Sequence, residues 1–194
     1  MPLQTGMAVA SLLWLSLLLP GQLQAQSPPS FNRDFDPYFR SYTDLFLREL
    51  LPESDWQWFK AQCVQESGPK LNPAAVSPAG AVGVCQLMPG TARDFGLDPA
   101  HRIVPKDNIR AGALTLRRCT TLFFPRQTRL DRLRLGWACY NAGGGHILRA
   151  QVKCGGALLW SEIAPCLPQV TGKHAAETIG YVRKIPEWYQ RLRS

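Results

Sequence analysis

Apolar residues recur at helical spacing through the first third of the chain. From Tyr38 to Leu51 they fall every three or four residues, a period that predicts a helix with one buried face. Pro52 ends this run because proline cannot continue the pattern of helical hydrogen bonds. A second run from Trp56 to Gln65 repeats the spacing and predicts another helix that packs on the core.

Glu66 follows the second predicted helix, one turn beyond Cys63 and therefore close to the same apolar face. A carboxyl held against apolar side chains has a raised pKa, because desolvation disfavours its charged form. Such a group carries a proton at neutral pH; a solvent-exposed glutamate at a helix end is the alternative. A loop rich in Pro, Gly, Ser and Asn comes next, and the run Ala81 to Leu87, with two β-branched valines, predicts a short strand or hairpin arm.

The N-terminal residues differ in composition from the rest of the chain. Residues 1–25 contain no Asp, Glu, Lys or Arg, and the apolar run Met7 to Pro20 is short for a membrane span. This pattern predicts a signal peptide over residues 1–25, although the usual basic start is missing. A retained anchor or a buried helix is the alternative. Residues 26–37 are predicted to be a linker or N-terminal arm, and residues 38–194 one domain.

The composition fits a soluble globular protein with a strongly basic charge. The chain has 194 residues, of which 19% are charged, and a formal net charge of +8. The basic residues do not alternate with aromatic ones in a patch that would stack on bases, so nucleic acid is not the predicted partner. An anionic polymer of the cell envelope fits both the charge and the export signal.

Six cysteines in an exported chain of this size predict an oxidised framework. They allow about fifteen pairings, among which the sequence does not choose. No CxxC pair occurs and the three histidines are isolated from one another, so neither a metal site nor another cofactor is predicted. A thiol nucleophile is not predicted either, since no histidine lies near Cys63 or Cys85.

Five motifs follow one another along the chain. They are QES at residues 65–67, NPAAVSPAGAVGVCQLMPGTARDFG at 72–96, DNIRAGAL at 107–114, ACYNAGG at 138–144 and ETIGYVRKI at 177–185. In content and order they resemble the lytic transglycosylase domain of the soluble, goose-lysozyme-like type. The resemblance extends from roughly Trp56 to Tyr189, and chance agreement of five ordered motifs is improbable.

The resemblance implies a mainly α, lysozyme-like fold with a small β-hairpin or irregular loop at the cleft. It also implies peptidoglycan as the substrate, with cleavage of the β-1,4 bond between N-acetylmuramic acid and N-acetylglucosamine. Glu66 would protonate the bridging oxygen and then accept the proton of the muramyl C6 hydroxyl, which closes a 1,6-anhydro ring without water. The sequence agrees with a single acid, because no other Asp or Glu occurs between Glu66 and Asp94.

Other residues match motif positions that are expected to contact substrate. By resemblance these substrate-binding residues are Ser67, Gln86, Met88, Tyr140, Asn141 and Tyr181. The hydroxyl of Tyr181 is expected to reach Glu66, and Tyr140 and Asn141 to contact the acetamido sugar or Glu66. Each also has an ordinary structural explanation, such as a core aromatic for Tyr181 or a gap-filling side chain for Met88.

Three positions depart from the family pattern. Cys85 replaces the usual Met, Cys139 a usual small residue, and Leu116 a usual Tyr whose substrate contact is thereby in doubt. We expect the two cysteines to belong to disulfides that brace the groove. The segment Lys153 to Thr171 matches no motif; it is either an insertion that shapes the cleft or a stapled loop.

Two other functions remain open from the sequence. A hydrolytic lysozyme needs a second carboxylate to activate water, and Asp94 or Asp98 is the nearest candidate. A non-catalytic glycan-binding module needs neither acid. The predicted location is outside the cytoplasm, periplasmic or secreted, where an envelope-spanning machine is one compatible partner. The oligomeric state leaves no pattern in the sequence.

Overall fold

The computed structural model of the protein describes residues 30–51, 55–123 and 128–194. The predicted signal peptide (1–25) and residues 26–29 of the predicted arm lie outside these ranges. The described part of the arm lies against the helical body, since the Asn32 amide donates to the Pro69 carbonyl at 3.0 Å. Helix α1 begins at Asp36, two residues before the predicted start at Tyr38. The domain division at residue 38 stays a prediction.

The described residues are mainly helical, which confirms the predicted fold class. In chain order the helices are α1 (Asp36–Leu47), α2 (Gln57–Ser67), α3 (Pro89–Asp94), α4 (Pro105–Thr121), α5 (Arg129–Ala142), α6 (Gly144–Lys153), α7 (Trp160–Ile163), α8 (Pro168–Thr171) and α9 (Ala175–Arg193). Short 3-10 turns at His101–Ile103, Ala164–Cys166 and Gly172–His174 connect some of them. No helix of the described ranges combines the length and the apolar character that crossing a membrane requires.

Helix α2 runs through the middle of the fold. It packs along α9 and also contacts α1. Every residue from Phe59 to Val64 is buried, so α2 is enclosed on all sides and not only on the apolar face that its spacing predicts. Enclosure includes Lys60, whose ammonium pairs with Asp36 and donates to the Asn32 carbonyl at 2.6 Å. A buried charge needs such partners, because leaving it unpaired in an apolar interior costs several kcal/mol.

Disulfides join all six cysteines. The pairs are Cys63–Cys85, Cys119–Cys139 and Cys154–Cys166. The first ties α2 to the loop that follows it, the second ties α4 to α5, and the third staples the segment that matches no family motif. The expectation that Cys85 and Cys139 belong to bridges is therefore confirmed.

The loop between α2 and α3 is irregular. In it Val82 forms isolated antiparallel bridges with Val76 and Leu87, in place of the regular strand that its valines favour. Buried Asn108 of α4 holds the loop: it accepts from the Cys85 amide at 2.8 Å and donates to the Val82 carbonyl at 3.0 Å. A Cβ on Gly83, where φ is +85°, would lie 2.3 Å from the Asn108 amide nitrogen. Glycine is therefore required where the loop passes this side chain.

Candidate active site

Glu66 lies in the last turn of α2, where the helix meets a cleft between α2, α9 and the irregular loop. Gly68 ends the helix at φ +84°, and its amide caps the Val64 carbonyl at 2.8 Å. The chain then turns away into the loop. The cleft has a volume of about 650 Å³. Its lining includes Glu66, Gln86, Met88, Tyr140, Asn141, Glu177, Gly180, Tyr181, Arg183 and Lys184.

The carboxyl of Glu66 is protonated at neutral pH. Surrounding protein atoms desolvate it and raise its pKa to about 8, an effect to which the negative charge of Glu177 adds. The hydroxyl of Tyr181 donates to Glu66 Oε1 at 2.5 Å and opposes the rise, because this hydrogen bond favours the charged form. Desolvation outweighs it. The raised pKa that the helix position predicts is therefore present.

Two buried phenols stand beside the acid. Burial raises the pKa of Tyr181 well above its ordinary value, so the hydroxyl stays neutral and remains a donor to Glu66. Tyr140 shares the cleft, and burial together with the nearby charge of Glu66 also raises its pKa. The Tyr140 hydroxyl donates to the Cys85 carbonyl at 2.7 Å, which anchors the loop to α5. Glu66 thus has one direct hydrogen-bond donor among these two residues.

The other residues that the motifs single out occupy different places around the cleft. Asn141 lines it, and its Oδ1 accepts from the Thr178 hydroxyl at 2.7 Å, which leaves its NH₂ group for a ligand. Met88 lines it and is 43% exposed, as a groove-floor residue would be. Gln86 lines it with φ +46°, but its Nε2 donates to two carbonyls of its own loop, those of Ala75 and Gly83, both at 3.0 Å.

Ser67 is not part of the cleft lining. Its hydroxyl donates to the Val84 carbonyl at 2.7 Å and also contacts the Cys63 carbonyl at 3.3 Å. It therefore ties the end of α2 to the loop, next to the Cys63–Cys85 disulfide. Leu116, the residue of α4 that departs from the third motif, is fully buried in the hydrophobic core.

Glu177 is a cleft residue that sequence reasoning missed. It belongs to the fifth motif and lies 111 residues beyond Glu66 in the sequence. That the two residues are close in space could therefore be predicted only from the position of that motif in a known fold. By contrast, Asp94 and Asp98, the first acids after Glu66 in the sequence, do not line the cleft. Asp94 pairs with Arg118 at 2.8 Å and Asp98 with His101 at 3.0 Å, both on the surface.

Metal ligands are not assembled at this site. Within residues 30–51, 55–123 and 128–194, no three His, Cys, Asp or Glu side chains are placed to hold a metal ion. The chemistry that the described arrangement supports is proton transfer by one carboxyl that is neutral before it reacts.

Comparison with known proteins agrees with this geometry. The sequence model described as the transglycosylase SLT domain matches residues 48–158, more than half of the chain. The chain is 31% identical over 187 residues to the membrane-bound lytic murein transglycosylase F of Alcanivorax borkumensis, and 30% identical over 178 residues to that of Vibrio cholerae. These alignments cover 88% and 84% of this chain but 39% and 33% of those proteins. The chain therefore spans between about a third and two fifths of the length of these relatives.

Solved structures give the same result for the fold. The 70 kDa soluble lytic transglycosylase SLT70 of Escherichia coli superposes with a TM-score of 0.63 at 26% identity, over 84% of this chain and 24% of that protein. An inactive mutant of the lytic transglycosylase Slt from Pseudomonas aeruginosa superposes with a TM-score of 0.61 at 27% identity. This match covers 84% of this chain and 25% of that protein. The predicted lysozyme-like, mainly helical fold is confirmed. With the ordered motifs around Glu66 and a family match over most of the helical body, the chain belongs to the transglycosylase SLT domain family.

Proposed function

We propose that the protein is a peptidoglycan lytic transglycosylase that cleaves the β-1,4 bond between N-acetylmuramic acid and N-acetylglucosamine and leaves a 1,6-anhydro end. The observation that carries this proposal is a desolvated cleft carboxyl, Glu66, which accepts a hydrogen bond from Tyr181 and whose pKa is raised to about 8. A carboxyl that is neutral at pH 7 and, once it gives up its proton, is a stronger base than an ordinary carboxylate can serve both halves of the reaction.

In the first half, Glu66 acts as the general acid. Its proton moves to the bridging oxygen, the bond from that oxygen to muramyl C1 breaks, and N-acetylglucosamine leaves with a C4 hydroxyl. The acetamido oxygen of the muramyl residue itself stabilises the electron-poor C1, so a second protein carboxylate is not needed. The Tyr181 hydroxyl, 2.5 Å from Oε1, stabilises the carboxylate that forms.

In the second half, the same carboxylate acts as the general base. It accepts the proton of the muramyl C6 hydroxyl while O6 attacks C1, and the new C1–O6 bond closes the anhydro ring. Glu66 ends the cycle protonated, and no water is consumed. Because desolvation disfavours the ionised carboxyl, it returns to its neutral state readily.

We assign supporting roles to the remaining predicted residues according to their contacts. Asn141 offers its NH₂ group to an acetamido or hydroxyl oxygen of the sugar, and Met88 gives the ring an apolar surface. Tyr140, Gln86 and Ser67 act mainly by fixing the loop, since their polar groups bond to loop carbonyls.

Hydrolysis is the second candidate, and Glu177 is the observation that favours it. This exposed carboxylate lines the same cleft, and its charge raises the pKa of Glu66. A carboxylate so placed could orient water, as in an inverting glycosidase. Mass spectrometry of digested peptidoglycan separates the two reactions. We expect anhydro-muramyl ends, and reducing muramyl ends in their place would establish hydrolysis and overturn the proposal.

The pH profile tests whether Glu66 is the group that starts the reaction. The rate is expected to fall as the pH rises through about 8, because only the protonated carboxyl can act as the acid. Tyr181→Phe removes a donor that favours the charged form, so the basic limb should move to higher pH and the rate should drop about 10-fold or more. Glu177→Gln removes a nearby negative charge, so that limb should move to lower pH.

The two variants therefore serve as controls for each other. Initial rates of wall clearing, measured between about pH 5 and pH 10, would locate the basic limb of the pH profile for each variant. If both substitutions shift the basic limb in the same direction, or if neither shifts it, Glu66 is not the titrating acid.

We also infer that the protein works outside the cytoplasm, in the periplasm or as a secreted protein. Three disulfides that join all six cysteines fit an oxidising compartment. Its proposed substrate is found there too. Either wall turnover or opening of the wall for an envelope-spanning machine would use the same reaction.

A further inference from the structure

Helix α9 forms one wall of a groove that extends beyond the Glu66 cleft in both directions. A cavity of about 460 Å³ near Glu177 and Thr178 shares Asn141 with the cleft. A second cavity, of about 280 Å³, shares Gln65 and Lys184 with the cleft on its other side. From Glu177 to Arg191 the wall is about 21 Å long at 1.5 Å per residue. The groove is thus long enough for several sugars of a strand.

Trp188 lines the smaller of these cavities. Its indole is half-buried, and the Phe31 ring lies perpendicular to it at a centroid distance of 6.3 Å. The guanidinium of Arg191, an exposed residue, lies over the ring at 5.1 Å from its centroid and covers one face of the indole. The Trp188 Nε1 donates to Gln65 Oε1 at 2.8 Å, which fixes the ring beside the residue that precedes Glu66. This side chain is therefore held in one orientation while part of its ring lines the cavity.

We propose that Trp188 and Gln65 form a sugar-binding subsite of the glycan strand, next to the cleft that holds the bond to be cleaved. This inference rests on the proposed function, since the ligand is a sugar of the same strand. A pyranose ring has an apolar face of C–H groups and a rim of hydroxyls. When the exposed Arg191 side chain moves off the indole, the ring buries the apolar face of the sugar, which is the usual contribution of aromatic residues in ligand sites.

Polar groups around the indole match the rim of such a ring. Because Gln65 Oε1 accepts from Trp188, the Gln65 NH₂ group remains to donate to a sugar oxygen. Lys184 lines both this cavity and the cleft, so one ammonium stands between the two sites. Sequence reasoning gave Trp188 no role because it lies beyond the last family motif, three residues after Ile185.

Binding to inactive protein tests the subsite without any need for cleavage. In a Glu66→Gln background, calorimetric titration would compare long peptide-free glycan strands with the single disaccharide. Trp188→Ala is expected to weaken strand binding about 10-fold and to leave disaccharide binding in the cleft unchanged. Trp188→Phe keeps a flat ring but loses the bond to Gln65, and it should retain most of the affinity. Circular dichroism would show that each variant is folded.

Several results would overturn the subsite. One is that Trp188→Ala leaves the affinity for strands intact, and another is that it weakens the binding of strand and disaccharide equally. Binding by Trp188→Phe as weak as that by Trp188→Ala would mean that the indole only supports Gln65. A loss seen only with strands that still carry stem peptides would assign the cavity to the peptide, and absence of strand binding by the Glu66→Gln protein would also refute it. Failure of the proposed function is distinguishable, because wild type would then produce no anhydro ends while the Trp188 effect on strand binding persisted.

Discussion

Replacing Glu66 with Gln is expected to reduce peptidoglycan cleavage by ~10²–10⁴-fold, the usual contribution of general acid–base catalysis. Gln has nearly the same shape and still accepts the Tyr181 hydrogen bond, but it has no acidic proton to give to the bridging oxygen. Release of soluble fragments from purified sacculi, measured at pH 7, would give the ratio of rates.

The matched control is Glu49→Gln, which changes an exposed glutamate outside the cleft and should leave the rate unchanged. Thermal unfolding should show that Glu66→Gln is at least as stable as wild type at alkaline pH. There the native carboxyl must ionise in a desolvated site, which destabilises the folded state. If Glu66→Gln clears the wall as fast as wild type, the protein is either a non-catalytic glycan-binding module or an enzyme with another acid.

Removing the Cys63–Cys85 disulfide by a double Ser substitution is expected to lower both stability and activity. The bridge closes a loop across a sequence separation of 22 residues, and the loss of that closure costs about 3 kcal/mol of unfolding free energy. Activity should fall as well. Cys63 lies one turn before Glu66, and Cys85 carries the carbonyl that accepts from Tyr140. The bridge therefore fixes the acid relative to the loop wall of the cleft.

The Cys154–Cys166 disulfide provides a matched control. Its sequence separation of 12 residues gives a similar loss of about 3 kcal/mol, but the segment that it staples supplies no residue to the lining of the Glu66 cleft. Denaturant unfolding should therefore show a loss for both double variants, larger for Cys63/Cys85 because its Ser hydroxyls replace fully buried sulfur atoms. At a temperature where both are folded, only the Cys63/Cys85 variant should lose activity. Equal activity in the two variants would mean that the first bridge stabilises the fold without positioning the acid.

Local sequence signals predicted the part of the site that one continuous segment builds. The helical spacing before Glu66 and the turn residues after it place the acid at a helix end against apolar neighbours, and its pKa is raised there as expected. The mainly helical fold follows from the same periodicity together with the family motifs. The loop was predictable as irregular or hairpin-like, since its valines favour a strand while its glycines and prolines interrupt one.

Features that depend on distant segments could not be obtained in this way. The observed set of three disulfides, which includes Cys63–Cys85, is one of about fifteen that the sequence allows, and only the packing of the helices selects it. Glu177 and Trp188 reach the cleft region only because α9 lies along α2. Asn108 belongs to a recognisable motif, yet its task of holding the loop through the Cys85 amide and Val82 carbonyl is visible only in three dimensions.

The central claim is that Glu66 closes the anhydro ring without water. Digestion of peptidoglycan in water enriched in ¹⁸O, followed by mass spectrometry of the fragments, tests it most directly. We predict anhydro-muramyl ends, which are lighter than reducing ends by one molecule of water and carry no ¹⁸O. These ends should be absent when the Glu66→Gln variant is used. Reducing muramyl ends that each carry one ¹⁸O atom would contradict the claim, because water would then have attacked C1 in place of the C6 hydroxyl.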